Sequence, residues 1–173
     1  VLFAALNASL ALGASTQRQL ISAADFGALP FMVGPKMAPD AKHVVATAHV
    51  NGSTRLVILE LGAKPAPTHS FNMPGKWELV GYRWAGNERV LVSIGHSDVL
   101  FGDDVYVTRL LMYDLKADKA VFVGKKNEGV EGDNVIHVDR DGRWLLLNVQ
   151  KTIYDYPSVY RVDLDTMDMK KVV

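Results

Sequence analysis

Few stretches of this chain combine residues that could do chemistry. Gly95-His96-Ser97-Asp98-Val99 has the rhythm of the Gly-x-Ser-x-Gly elbow, in which a sharp strand-to-helix turn lifts a serine toward an incoming carbonyl. The fifth position needs a small residue and holds Val99, and no helical pattern follows, so the segment reads as a loop after a strand over Arg89–Ile94. Asp139-Arg140-Asp141-Gly142 opens like a calcium loop. It lacks a third oxygen ligand before the glycine and the later Glu; Asn148 stands there after the apolar run Trp144–Leu147, so a hairpin turn is expected instead. The five histidines show no His-x-His or His-x-x-x-His pairing, which leaves a metal site without local support.

Two further stretches concentrate charge or aromatic surface. LFGDDVYV with Asp103 and Asp104, and KKNEGVEGDN with Glu128, Glu131 and Asp133, could hold a substrate's amino group, but solvated turns explain them more simply. Lys151-Thr152-Ile153-Tyr154-Asp155-Tyr156-Pro157 places two tyrosines between strands, where packing against a neighbouring unit is the expectation and a ligand-facing aromatic the alternative. There is no Gly-rich phosphate loop, no dinucleotide fingerprint and no pair of carboxylates at helical spacing. The reading therefore assigns no catalytic, cofactor-binding or metal-ligating residue, and no cofactor.

Composition narrows the classes further. In 173 residues, 19 Lys+Arg balance 19 Asp+Glu, so no basic footprint invites nucleic acid or an anionic membrane. The absence of cysteine excludes a disulfide scaffold, cysteine-ligated zinc, iron–sulfur clusters and a thiol nucleophile. Residues 1–35 carry only Arg18 and Asp25 as charges. The opening VLFAALNASLALGA is too short to span a hydrocarbon layer of about 30 Å, and with the small residues that follow it resembles a signal-peptide core. Residues 1–15 are read as a signal remnant and 16–35 as a lead-in with a short helix, in which Ser22 caps and Pro30 stops. The expected location is periplasmic or secreted, with no membrane span.

From Lys36 the pattern becomes short runs of Val, Leu, Ile, Tyr and Trp between Gly, Asn, Asp and Pro, the signature of antiparallel strands. Three turn-then-strand units align on Asp40, Gly86 and Asp141, 46 and 55 residues apart. Each is followed by a strand ending in an acid and Leu: TRLVILEL, TRLLMYDL and SVYRVDL, closing at Glu60-Leu61, Asp114-Leu115 and Asp163-Leu164. Self-similarity of this period predicts an all-β partial propeller of about three four-stranded antiparallel blades, over 36–76, 77–127 and 128–173. The middle blade is longer by an insertion from His96 to Tyr106. A blade cannot bury its apolar face alone, so the face near Lys170–Val173 is expected to await a following blade.

ISAADFGALPFMVGPKMAPDAKHVVATA is similar to the start of exported bacterial members of the prolyl oligopeptidase family of serine peptidases. In that family a segment with Asp-Phe leads into a first blade written Ser-Pro-Asp-Gly-Lys; here the residues are Ala38-Pro39-Asp40-Ala41-Lys42, with Ala for Ser and Ala41 for Gly. YRWAGNERVLVSI, FGDDVYVTRLLMYDL, EGDNVI and TIYDYPSVYRVDL resemble succeeding blades, so the likeness covers residues 20–173. It implies a parent in which the propeller frames peptide access to a C-terminal α/β-hydrolase domain bearing a Ser-Asp-His triad. None of those catalytic residues maps onto this chain. The expected partners are that domain of the same polypeptide and a peptide substrate, with no nucleic acid. A periplasmic propeller serving as a non-enzymatic binding or scaffold module is the alternative, and a complete small β domain a third reading.

Overall fold

The computed structural model describes residues 32–50, 53–62, 66–124 and 129–173. The expected signal remnant, and Ser22 and Pro30 of the expected helical lead-in, lie outside the described residues. Residues 32–35, assigned to that lead-in, open a β-strand instead, because Met32–Met37 finds a partner in the next strand.

Among the described residues there is no helix. The described residues form twelve strands in three antiparallel four-stranded sheets, each a simple meander. The first sheet holds β1 (Met32–Met37), β2 (His43–Val50), β3 (Ser53–Glu60) and β4 (Ala66–Phe71). The second holds β5 (Glu78–Ala85), β6 (Arg89–Leu100), β7 (Asp103–Asp114) and β8 (Lys119–Val123). The third holds β9 (Asn134–Val138), β10 (Trp144–Val149), β11 (Ser158–Asp163) and β12 (Met169–Lys171).

The sheets stack face to face, and strand alternation decides which residue meets which neighbour. In β6, Val90, Val92 and Ile94 join Leu111 and Tyr113 of β7 against Val45, Leu56 and Ile58 of the first sheet. The intervening Leu91, with Leu110 and Met112, packs against Leu145, Leu147, Val149, Tyr160 and Val162 of the third. The middle sheet is thus buried on both faces, which is why its strands read as nearly unbroken apolar runs.

The three units repeat in detail. Leu61 N–H donates to the Lys42 carbonyl (2.6 Å), Leu115 to Glu88 (2.9 Å) and Leu164 to Arg143 (2.9 Å), so the Leu after each third strand ties back to the residue preceding the second. The β1–β2 and β9–β10 turns share a further pattern: Ala41 N–H donates to Ala38 and Gly142 N–H to Asp139, both at 2.9 Å. Ala41 and Gly142 both have positive φ, 57° and 69°. Asp114 and Asp163 each accept from the amide three residues on, Ala117 and Thr166, at 2.9 Å, and a positive-φ residue follows each cap, Asp118 and Met167.

One repeat concerns register. The first strand of every unit contains an irregularity: between Val33 and Lys36 in β1, at Val80 in β5 and at Ile136 in β9. An extra residue on one strand bends it and raises local twist, so each sheet is bent along the same edge. Val80 and Ile136, displaced by their bulges, are more than half exposed.

Candidate functional site

The meander gives the assembly two rims. One collects the β1–β2, β5–β6 and β9–β10 turns, which touch in series: Asp40 N–H donates to Asn87 Oδ1 (3.0 Å), and Gly86 abuts Asp141. Arg89 reinforces this rim. It pairs with Asp114 in its own sheet (3.3 Å) and reaches across to the Gly142 carbonyl (2.9 Å) and the Asp165 carboxylate. An open cleft of about 390 Å³ lies here beside Pro39, Asn87, Glu88 and Arg140.

At the opposite rim, β6 and β7 run on as a paired ladder to Leu100 and Asp103, closed by Phe101 and Gly102 at φ 54° and 92°. Two successive positive φ values are what a tight two-residue hairpin requires. The loop expected after Ile94 is therefore strand. Its side chains sustain the ladder: Val99 and Leu100 face Asp104 and Asp103 across it, Val105 and Val107 face Asp98 and His96, and Gly95 leaves room for the Tyr106 ring, which a Cβ would meet at 2.7 Å from Cζ.

That ladder settles the His96-Ser97-Asp98 segment. Neighbouring residues of a strand point to opposite faces, so Ser97 is not presented to the His96 ring. His96 Nδ1 donates instead to the Ser97 carbonyl (2.8 Å). His96 is only 6% exposed, meets Trp77 edge-on at 4.3 Å between centroids, and lies 3.9 Å from Asp98, which is on its own face. Asp98 is itself engaged by Lys76 (3.3 Å) and by the Val99 amide (2.9 Å), and that amide above all, then Lys76, holds its carboxyl below the usual range.

Further down, the same face of the hairpin is apolar and covered by the first sheet. Beyond Ile94 that cover ends. The cross-strand pairs His96–Val107 and Asp98–Val105, with Arg109 opposite the buried Ile94, then wall a pocket of about 270 Å³ together with Trp77 and Val130. Arg109 Nη1 donates to the carbonyls of Thr108 (2.6 Å) and Val130 (3.2 Å), and burial pulls the guanidinium below its ordinary value. Sequence reasoning missed Trp77, Arg109 and Val130. The available signal was a change along one face of the hairpin, from aliphatic residues to His, Asp and Arg.

The remaining flagged residues stay apart from this pocket. Asp139 and Asp141 lie on the turn rim, where both pair with Arg143 (3.6 and 3.3 Å), and the described residues contain no cluster of three acids or histidines able to hold a metal. Asp103 and Asp104 are exposed beside the hairpin tip. Asp133 accepts from the Thr108 hydroxyl, which fastens the β8–β9 connection to β7; Glu131 is in that connection, and Glu128 lies outside the described residues. Tyr154 and Tyr156 are 84% and 91% exposed on a loop held by Thr152 and Asp155. No helix among the described residues is long and apolar enough to cross a membrane.

The arrangement offers a shaped, partly buried pocket lined by the Arg109 cation, the Asp98 carboxylate and the His96 imidazole, and no serine among the described residues is placed for activation by the buried histidine. Comparison with known proteins adds no family to this description: no family model matches the chain, and no curated protein matches it.

Proposed function

We propose that the chain is the non-catalytic N-terminal part of a β-propeller, framing peptide access to a C-terminal α/β-hydrolase domain of an exported serine peptidase. The observation that carries the propeller reading is the threefold repeat: meander sheets stacked face to face, a Leu tied back to the second strand in each, and a bulge in each first strand. Sheets bent along one common edge are suited to radial packing around that edge, as in propeller blades. The outer face of the third sheet supports a further blade beyond it. There Trp144 lies under the Arg161 guanidinium (4.7 Å), and Leu146 and Val159 are only partly covered.

The peptidase reading rests on the family resemblance of residues 20–173, and export on the apolar opening. Reading the gene beyond Val173 tests both readings of the parent. Further blades followed by Gly-x-Ser-x-Gly and then Asp and His support the peptidase, and that serine should label with a fluorophosphonate in the whole protein. A stop codon within two or three blades overturns it in favour of the binding or scaffold module.

A further inference from the structure

The pocket above Ile94 goes beyond this reading and stands without any hydrolase domain. Its wall is asymmetric in charge. Asp98 at the outer end is already matched by Lys76, whereas Arg109 at the inner end bonds only to backbone carbonyls through Nη1 and has no carboxylate partner among the described residues. A guanidinium held this way is fixed in position yet keeps donors available, and its planar fork suits a carboxylate. Between the two charges the wall is Val105, Val107 and the Trp77 side chain, apolar residues that lie beside His96. The volume of about 270 Å³ lies at the lower edge of small-ligand pockets and suits one residue rather than an extended chain.

We propose that this pocket binds the carboxylate of an apolar acyl amino acid, such as the C-terminal residue of a peptide, with Arg109 taking the carboxylate and Trp77 and Val107 the side chain.

The test titrates the full chain with N-acetyl-leucine, N-acetyl-leucinamide and inorganic phosphate, following the Trp77 indole and Arg109 Nε resonances by NMR. N-acetyl-leucine should shift both saturably, while the amide, lacking the charge, should bind about tenfold more weakly or not at all. Arg109→Gln should abolish the shifts of Trp77, and Arg109→Lys should retain part of them. If Arg109→Gln loses its amide dispersion, Val107→Phe, which fills the pocket and keeps the cation, should block binding instead. Equal binding of acid and amide, saturation by phosphate but not by N-acetyl-leucine, or unchanged binding in a folded Arg109→Gln or Val107→Phe protein each overturns the proposal. So does a failure of N-acetyl-leucine to shift either resonance.

Discussion

Replacing Gly142 by alanine probes the closest joint between the second and third sheets. Gly142 sits at φ 69°, where a Cβ costs about 1–2 kcal/mol. That Cβ would also lie 2.6 Å from Gly86 N and closer still to the Ala85 carbonyl, both backbone atoms that cannot rotate aside. Relief therefore requires the two turns to separate. Separation breaks the Arg89 hydrogen bond to the Gly142 carbonyl, a charged bond worth about 1.5–3 kcal/mol. The sum is about 2.5–5 kcal/mol, a large share of the stability of an ordinary domain. Ala41 supplies the control. It occupies the matching turn position at φ 57°, so Ala41→Gly relieves backbone strain while adding unfolded-state entropy, and should change stability by less than about 1 kcal/mol. Urea unfolding followed by circular dichroism measures both, with an unchanged m-value certifying that the folded state is preserved. A Gly142→Ala cost below about 1.5 kcal/mol at constant m would refute the claim that the backbones interlock.

Three other outcomes are expected. Tyr113 is buried against the Phe71 ring (4.9 Å) and donates through its hydroxyl to Asp118, beside His69 of β4; Tyr113→Phe keeps the stack and should cost about 1–2 kcal/mol in urea unfolding. Arg89→Met removes the link from Asp114 to the third sheet and leaves that half-buried carboxylate unpaired, so the thermal midpoint should fall, by an amount corresponding to about 2–3 kcal/mol; an unchanged midpoint would show the link to be decorative. Acid should destabilise the fold. Burial pushes the Asp114 carboxyl up, but the Ala117 amide and Arg89 together bring it below its ordinary value, while Asp118 is held down first by the Tyr113 hydroxyl and then by His69. Folded values below the unfolded value of about 3.9 mean that this stability is complete well above pH 4 and is lost as pH falls through the depressed values. Urea midpoints against pH should therefore decline below about pH 4, less steeply in Asp114→Asn; an equally steep decline there assigns the slope to other groups.

Much of the architecture was legible because turns are chemically marked. Asp40, Gly86 and Asp141 announced the three turns, and Glu60-Leu61, Asp114-Leu115 and Asp163-Leu164 the strand ends, where the same backbone bond recurs. The bulges at Val80 and Ile136 were not legible, because an extra residue is defined only by its partner strand and neither side chain differs from an ordinary strand residue. The loop expected after Ile94 was misjudged for a related reason. Gly and Asp usually break strands, but Gly95 here accepts a ring across the ladder and Asp103 and Asp104 are exposed beside its tip. Arg109 escaped notice because its meaning lies in what does not cover it, namely the end of the first sheet.

The two-faced burial of the middle sheet also constrains how its length can change. Within Arg89–Ile94, adding or removing one residue would exchange the partners of every aliphatic beyond the change, sending Val90 or Val92 toward the third sheet and Leu91 toward the first. Length there is subject to parity. At Phe101–Gly102 no such rule applies, since the tip packs against neither neighbour and residues can be added there in matched pairs or as a free loop. The overhanging hairpin is therefore where this scaffold can be lengthened, grafted or split without disturbing the arithmetic of its core.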